Sequence, residues 1–217
     1  MENFVIFSHI DHTLLRPTAK AEEISSLCDE ALRFHTASVC IPASYVKYAH
    51  NKFPFLNICT VIGFPLGYST TAAKCFEAED ALNNGANEID MVINLGKVKD
   101  GDFLETEMEI ATVKKVCGSK ILKVIIETCS LTDDEKISLC GCVTNAGADF
   151  IKTSTGFGAE GAKIEDIRLF RRHIGEGVRI KAAGGIRTRD ALEMFINEGC
   201  ERIGTSSAVK LLAGEGS

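Results

Sequence analysis

The feature that most constrains this fold is a regular alternation of short apolar runs and longer amphipathic segments along the whole chain. The short runs have the composition of buried strands, and the segments between them have helical periodicity. Eight predicted strands cover residues 7–11, 38–41, 57–63, 88–94, 121–127, 149–153, 179–183 and 202–205. Predicted helices cover residues 21–34, 43–52, 71–83, 103–116, 133–145, 164–174 and 189–197, and a last short helix begins at Ala208.

Three junctions between a helix and the next strand share one pattern. Gly85, Gly147 and Gly199 each follow a predicted helix, and a strand begins two or three residues later. Glycine suits the left-handed conformation in which many helices end. Strands that alternate with helices pair in parallel through right-handed crossovers. Eight such units therefore predict a closed (β/α)8 barrel. A doubly wound open sheet is the alternative, but the chain has no dinucleotide-binding fingerprint.

No linker or change of composition divides the chain, so we predict one (β/α)8 domain over residues 1–217. The net charge is −6, which gives no general attraction to nucleic acid or to an anionic membrane. No apolar run approaches the length of a membrane span, and no signal peptide is recognisable.

The nine cysteines are odd in number and lack CxxC spacing, so they predict neither a disulfide framework nor a zinc site. Free thiols are kept reduced most easily in the cytoplasm, where we expect this protein to act. The five histidines form no ligand set, because His9 and His12 face opposite sides of the predicted first strand. No GxGxxG precedes a helix, so neither a metal nor an organic cofactor is predicted.

Two lysines and one aspartate occupy matching positions on their strands. Asp90 and Lys152 each lie five residues after a capping glycine and follow an isoleucine that should face the helices. Their own side chains should then face the barrel interior, as should Lys181 on the next strand. A buried charge is costly unless it is paired or functional. Adjacent strands lie about 4.8 Å apart, which should bring Lys152 and Lys181 close together.

Two neighbouring lysines favour a nucleophilic amine. An ordinary lysine has a pKa near 10.4, and a like charge nearby lowers one or both pKa values. The neutral amine could form a Schiff base with a carbonyl substrate. The alternative is a structural network in which Asp90 and the lysines neutralise one another. Asp11 could orient Lys181, bind a substrate hydroxyl or cap the next turn. Lys123 lies near the N-terminal end of its strand, where stability is a better interpretation than catalysis.

Glycines and hydroxyl residues follow three consecutive strands at one edge of the predicted barrel. Glycine lets backbone N–H groups approach an anion closely, and hydroxyls can complete the cradle. Phosphate sites recur after the seventh and eighth strands of such barrels. The predicted substrate-binding residues of this edge are Thr153, Gly156, Gly184, Gly185, Gly204, Ser206 and Ser207.

Taken in order, six motifs resemble the deoxyribose-phosphate aldolase family over essentially the whole chain. They are DHTLL at 11–15, EIDMVIN at 88–94, KVIIET at 123–128, FIKTSTG at 150–156, IKAAGGIRT at 180–188 and IGTSS at 203–207. The resemblance implies a metal-free class I aldolase that reversibly cleaves 2-deoxy-D-ribose 5-phosphate to D-glyceraldehyde 3-phosphate and acetaldehyde. It implies that Lys152 forms the Schiff base, that Lys181 perturbs its pKa, and that Asp90 assists proton transfer. A homodimer is a further family expectation.

Three positions depart from the family pattern. Cys40-Ile41-Pro42-Ala43 replaces the usual Cys-Val-Asn-Pro. Phe157 stands where some members carry a lysine, which weakens an expected phosphate contact. The last tyrosine is Tyr68, so no C-terminal tyrosine can assist proton transfer as it does in some members.

Two other functions fit parts of the pattern. A different Schiff-base aldolase, acting on a keto acid, would need a cation for the substrate carboxylate, and Arg16 or Arg187 could reach from a loop. A non-catalytic sugar-phosphate-binding barrel would have no need for two adjacent lysines beside Asp90.

Overall fold

The computed structural model describes residues 1–214, and within them eight parallel strands close into a barrel in chain order. The predicted (β/α)8 fold is therefore confirmed. The predicted domain end at residue 217 lies outside the described residues. The strands are β1 (Ile10–Thr13), β2 (Ser38–Ile41), β3 (Ile58–Ile62), β4 (Glu88–Val92), β5 (Ile121–Ile125), β6 (Phe150–Lys152), β7 (Arg179–Ala183) and β8 (Arg202–Thr205).

Helices surround the barrel, and two short 3-10 helices, Ala43–Tyr45 and Thr128–Ser130, lie in the connections. Among residues 1–214, no helix is long and apolar enough to cross a membrane. The α-helices are α1 (Asn3–Ser8), α2 (Ala21–Phe34), α3 (Val46–Lys52), α4 (Thr71–Asn83), α5 (Leu95–Lys99), α6 (Phe103–Cys117), α7 (Asp133–Asn145), α8 (Ile164–His173), α9 (Arg189–Asn197) and α10 (Ala208–Ala213).

The hydrophobic core lies between the strands and the helices. Ile89, Ile151 and Ile203, which precede the predicted inward positions, are fully buried in this core. Each buried isoleucine contributes roughly 1.5–3 kcal/mol of transfer free energy. The alternation predicted for these strands is confirmed, and it sends the intervening side chains into the barrel.

The repeated junctions have the predicted geometry. Gly85, Gly147 and Gly199 have φ values of 107°, 71° and 99°, in the region that favours glycine. At the N-terminus of α7, the Thr132 side chain accepts a hydrogen bond from the backbone N–H of Glu135, and the Glu135 side chain accepts one from the backbone N–H of Thr132. This capping box and the glycine ends explain why the bounds of α7 agree with the sequence prediction.

The first predicted strand is wrong in position. Residues 3–8 form helix α1, and β1 begins only at Ile10. Phe7, predicted in the strand, is a buried residue of α1. The sequence pattern does not separate the two structures here, because an apolar residue in so short a run fits either period. His9 therefore follows a helix, and the predicted placement of His9 and His12 on one strand is also wrong.

Strands β4 and β5 each end two residues earlier than predicted, and both ends open loops above the barrel. After β4, Asn94 accepts hydrogen bonds from the N–H groups of Gly96 and Lys97 and begins α5, which the sequence did not reveal. After β5, Glu127 has φ of 53° and turns the chain into a 3-10 helix. Sequence periodicity misses both features because a five-residue helix and a single left-handed residue leave no repeat.

Candidate active site

The barrel interior holds a connected cluster of charged side chains. Strand register places Lys152 directly opposite Lys181, as predicted, and Asp11 opposite Gly204 where β1 closes against β8. The members, each contacting another member, are Asp11, Glu88, Asp90, Lys123, Lys152, Lys181 and Arg202. We call these seven residues the charged cluster.

Asp90 lies at the centre of the charged cluster. Its Oδ2 accepts hydrogen bonds from Lys152 Nζ at 2.7 Å and from Lys181 Nζ at 2.8 Å. Its Oδ1 accepts from Lys123 Nζ at 2.8 Å and from the Cys59 thiol at 3.1 Å. Burial alone would raise the pKa of Asp90, but the three lysines outweigh it and hold this pKa well below its ordinary value. The carboxylate is therefore a fixed anion shared by three ammonium groups.

Lys181 is held between two carboxylates. Its Nζ donates to Asp90 and, through a short contact, to Asp11. Burial by itself lowers the pKa of Lys181, but the charges of Asp11 and Asp90 outweigh burial and raise it above its ordinary value. The sequence predicts a lowered pKa for one or both lysines, and the pKa of Lys181 is not lowered, because the carboxylates are the stronger influence. Lys181 is a cation next to Lys152.

Glu88 and Arg202, which form the lower half of the charged cluster with Lys123, are not among the residues predicted from the sequence. Lys123 Nζ donates to Glu88 Oε2 at 2.6 Å, and Arg202 donates to both oxygens of Glu88 at 2.9 and 3.0 Å. Arg202 also reaches Asp11 Oδ1 at 2.8 Å. The signal was present, because Glu88 lies two residues before Asp90 and Arg202 two residues before Gly204, on the same strand faces.

Above the cluster, a cleft of about 600 Å³ opens at the C-terminal ends of the strands. This is the end at which barrels of this kind carry their active sites. Lys152, the last residue of β6, is the member of the charged cluster that lines the cleft. Six predicted substrate-binding residues line it too, namely Gly156, Gly184, Gly185, Gly204, Ser206 and Ser207.

Two predicted substrate-binding residues do not line the cleft. Thr153 is buried, and its hydroxyl donates to the carbonyl of Ala183 at 3.2 Å, so it joins the two strand ends. Thr155 lines the cleft instead. Asp11 lies below the cleft in contact with Lys181, which is one of the alternatives considered for it. Strand alternation does not predict this exchange, because residues 153 and 155 follow the end of β6 in an irregular turn.

Two glycines shape the anion-binding edge by their conformation. Gly184 and Gly185 have φ of 85° and 76°, which an L side chain rarely adopts. A Cβ on Gly184 would also come within 3.0 Å of the Gly161 Cα. Consecutive positive φ values let this turn run along the cleft wall, where Arg187 adds a cation that the sequence had placed only in an adjoining loop. The edge has the chemistry of an anion site.

Phe157 forms part of the cleft wall beside Gly156. Its ring is half exposed and packs edge-on against Phe64, with ring centroids 5.4 Å apart. An aromatic wall at this position contributes no charge toward an anion.

The interior does not suit a metal ion. Donor atoms of Cys40, Cys59 and Asp90 lie within 4.8 Å of one another, as do those of Asp11, Cys59 and Glu88, whose carboxylates already pair with lysine or arginine. However, both Asp90 oxygens already accept from lysine ammonium groups, so a metal ion would have to displace them. The residues present therefore do not fit a metal centre.

Comparisons with known proteins agree with this geometry. A family model described as DeoC/LacD family aldolase matches residues 5–209. The deoxyribose-phosphate aldolase of Clostridium botulinum (strain Alaska E43 / Type E3) is 57% identical over 216 residues, which are 99% of this chain and 98% of that protein. The enzyme of the same name from Streptococcus pyogenes serotype M4 (strain MGAS10750) is 56% identical over 219 residues, covering 99% of this chain and 97% of its own.

A solved aldolase structure has the same fold as this chain. The deoxyribose phosphate aldolase from Aeropyrum pernix, described as having a unique tetrameric structure, superposes with a TM-score of 0.88 at 31% identity. The match covers 100% of this chain and 93% of that chain. With a family model over most of its length and relatives above half identity, this chain belongs to the DeoC/LacD family of aldolases.

Proposed function

We propose that this chain is a class I aldolase that reversibly cleaves 2-deoxy-D-ribose 5-phosphate to D-glyceraldehyde 3-phosphate and acetaldehyde. The observation that carries the proposal is the position of Lys152. Its amine belongs to the charged cluster, in contact with Asp90, and its side chain also lines the cleft. A nucleophile needs access to substrate on one side and proton-transfer partners on the other. The names of the two bacterial relatives support the choice of substrate.

The first half of the reaction builds an iminium ion. The neutral amine of Lys152 attacks C1 of the open-chain sugar, so an N–C bond forms and the carbonyl electron pair moves to oxygen. The Lys181 ammonium, which donates a hydrogen bond to the Asp90 carboxylate at 2.8 Å, is placed to deliver a proton to that oxygen, and Asp90 holds it there. The attacking nitrogen, now an ammonium, gives up one proton, and the carbinolamine hydroxyl takes up a second. Water then leaves as the freed nitrogen lone pair forms the C=N bond.

The second half breaks the carbon–carbon bond. The C3 hydroxyl gives its proton to solvent water in the open cleft, and the C2–C3 electron pair moves toward the iminium nitrogen to give an enamine. D-Glyceraldehyde 3-phosphate departs, and its new aldehyde carbon is the carbon that was C3 of the sugar. A proton from solvent then adds to C2 and regenerates the iminium, and addition of water releases acetaldehyde and restores the Lys152 amine.

The substrate phosphate is assigned to the edge formed by Gly184, Gly185, Ser206 and Ser207. Backbone N–H groups of a glycine turn can approach phosphate oxygens closely, and Arg187 supplies a positive charge on the same wall. This end of the cleft holds the phosphate while C1 reaches Lys152.

The test is product formation by matched lysine variants. We expect wild type to release acetaldehyde from 2-deoxy-D-ribose 5-phosphate and Lys152→Met to release none above background. Lys120→Met is the control, because Lys120 is an exposed lysine after α6. Turnover by Lys152→Met at the wild-type rate would exclude the mechanism. Cleavage of a keto acid in place of the sugar phosphate would favour the other aldolase.

Location and assembly belong to the same proposal. All nine cysteines are unpaired, which supports action in a reducing compartment such as the cytoplasm. A homodimer is supported by exposed apolar side chains on the adjacent helices α4 and α6, namely Phe76, Leu104 and Met108. Sedimentation equilibrium should give about twice the 23.5 kDa chain mass, and a monomer mass would refute the homodimer.

A further inference from the structure

Lys123 is a buried lysine that takes no part in the mechanism above. Its side chain is fully buried and is not among the residues that line the cleft. We propose that Lys123 is a positioning residue for the aldolase reaction, whose fixed positive charge keeps the amine of Lys152 in its neutral, nucleophilic form. This inference rests on the proposed function, because it concerns the nucleophile of that reaction.

The charged cluster holds more cationic than anionic side chains. Among residues 1–214, the connected cluster contains four cationic side chains and three carboxylates. With all seven groups ionised, the cluster therefore carries one positive charge in excess. Excess charge is expensive at a buried site, since little water is present to screen it. The cluster becomes neutral when one cation gives up its proton.

Six of the seven groups are held in their charged forms. Burial opposes ionisation of Lys123, but Asp90 and the other anions beside it raise its pKa well above the ordinary value. The balance is the same for Lys181 and Arg202, whose pKa values burial lowers and their carboxylate partners raise further. For the carboxylates, burial raises the pKa, and the neighbouring cations lower it by more. This holds for Asp11, Glu88 and Asp90.

Lys152 is the remaining cation of the cluster, and it lines the cleft, so a proton leaving its amine has a route to solvent or to substrate. Removing the charge of Lys123 would change this balance. Three cations, with Lys152 protonated, would then face three carboxylates, and the protonated amine would no longer be in excess.

The geometry explains how Lys123 acts at a distance. It contacts Oδ1 of Asp90 at 2.8 Å, while Lys152 contacts Oδ2 at 2.7 Å. The two ammonium groups thus share one carboxylate from opposite sides. Lys123 is also held by Glu88 at 2.6 Å and lies 3.5 Å from Asp11. The positive charge of Lys123 offsets the negative charge of these carboxylates, which would otherwise stabilise a protonated Lys152.

Other titratable groups facing the cluster are thiols and one further arginine. Burial first, then the neighbouring Cys40 and Asp90, raise the pKa of Cys59 well above its ordinary value, so it stays a thiol. A hydrogen bond with Cys59 lowers the pKa of Cys40, while burial and Asp90 oppose this shift. Cys40 must be a neutral thiol for the cluster to carry one positive charge in excess. Arg179 lies 4.0 Å above the Phe150 ring at the partly exposed start of β7.

The titratable and charged side chains that line the cleft with Lys152 come from two parts of the barrel. On the β1–α2 side they are His12, Arg16, Glu23 and Glu30, and after β7 there is Arg187. His12 pairs with Glu30 at 2.7 Å, and Arg16 pairs with Glu23. None of them is altered by a substitution at Lys123, so they enter a comparison of variants equally.

The test is the pH dependence of kcat/KM for Lys123→Met with 2-deoxy-D-ribose 5-phosphate. The acidic limb, where activity is lost as the nucleophile is protonated, should move up by about one pH unit, equivalent to about tenfold lower activity on that limb. Cys59→Ala is the matched control. It removes another hydrogen-bond donor to Asp90 Oδ1 without removing a charge. Its limb should coincide with that of wild type, whatever its rate.

A second variant shifts the limb the other way. Glu88→Gln removes a carboxylate that contacts Lys123 and Arg202 but does not line the cleft, so the positive excess grows and the limb should move down. Circular dichroism checks that each variant is folded. The Glu88→Gln result tests the charge argument independently if Lys123→Met does not fold.

Different failures have different meanings. Wild type without aldolase activity would refute the proposed function. An active wild type whose acidic limb stays in place in Lys123→Met, or moves up in Glu88→Gln, would overturn the role of Lys123 alone. A limb that moves in Cys40→Ser would also overturn it, because the count of charges would then be incorrect.

Discussion

Replacing Lys181 by methionine tests how strongly the second lysine controls the first. Lys152 Nζ and Lys181 Nζ both contact Asp90 Oδ2, at 2.7 and 2.8 Å, so the two nitrogens lie at most about 5.5 Å apart. At an effective dielectric constant near 20, two unit charges at that distance repel by about 3 kcal/mol. Loss of this repulsion should move the acidic limb of kcat/KM upward by about two pH units.

The assay is kcat/KM from pH 5 to pH 9 together with the rate of iminium formation. At pH 7 we expect a fall of about 100-fold or more, since Lys181→Met also loses a proton donor. Inhibition by inorganic phosphate should be unchanged, because Lys181 is buried and does not line the cleft. A variant in which only KM changes, with the acidic limb at its wild-type position, would refute the electrostatic account.

The two remaining predictions concern the phosphate edge and the fold. Phe157→Lys places an ammonium group on the cleft wall, and it should raise kcat/KM for the phosphorylated sugar about threefold to tenfold relative to 2-deoxyribose; an unchanged ratio would place the phosphate elsewhere. Glu109→Gln breaks the buried ion pair with Lys74, whose N···O distance is 2.8 Å, and should lower the free energy of unfolding by about 3 kcal/mol. Urea titration measures this loss, and a midpoint equal to wild type would contradict it.

The barrel and the inward positions of its three predicted catalytic residues could be predicted, because both depend on local periodicity. Helices α2, α4, α7 and α9 have the predicted bounds. The inward positions of Asp90, Lys152 and Lys181 follow from the alternation of buried isoleucines along the strands. Matching positions on β6 and β7 then place the two lysines side by side.

The rest of the site depends on barrel closure, which no local pattern reveals. Asp11 and Lys181 are 170 positions apart in sequence and meet only because β1 pairs with β8. The contacts of Arg202 with Asp11 and Glu88 have the same origin. The sequence favours a stabilising role for Lys123 because this residue lies near the start of its strand, and no local pattern reveals its contact with Asp90.

The measurement that tests the central claim most directly is borohydride reduction of the enzyme in the presence of acetaldehyde, followed by peptide mass mapping. We predict a stable N-ethyl group on Lys152 and on no other lysine, with parallel loss of activity. Lys120→Met should be labelled like wild type, and Lys152→Met should not be labelled. An adduct on a different lysine, or continued turnover without any adduct, would contradict the Schiff-base mechanism at Lys152.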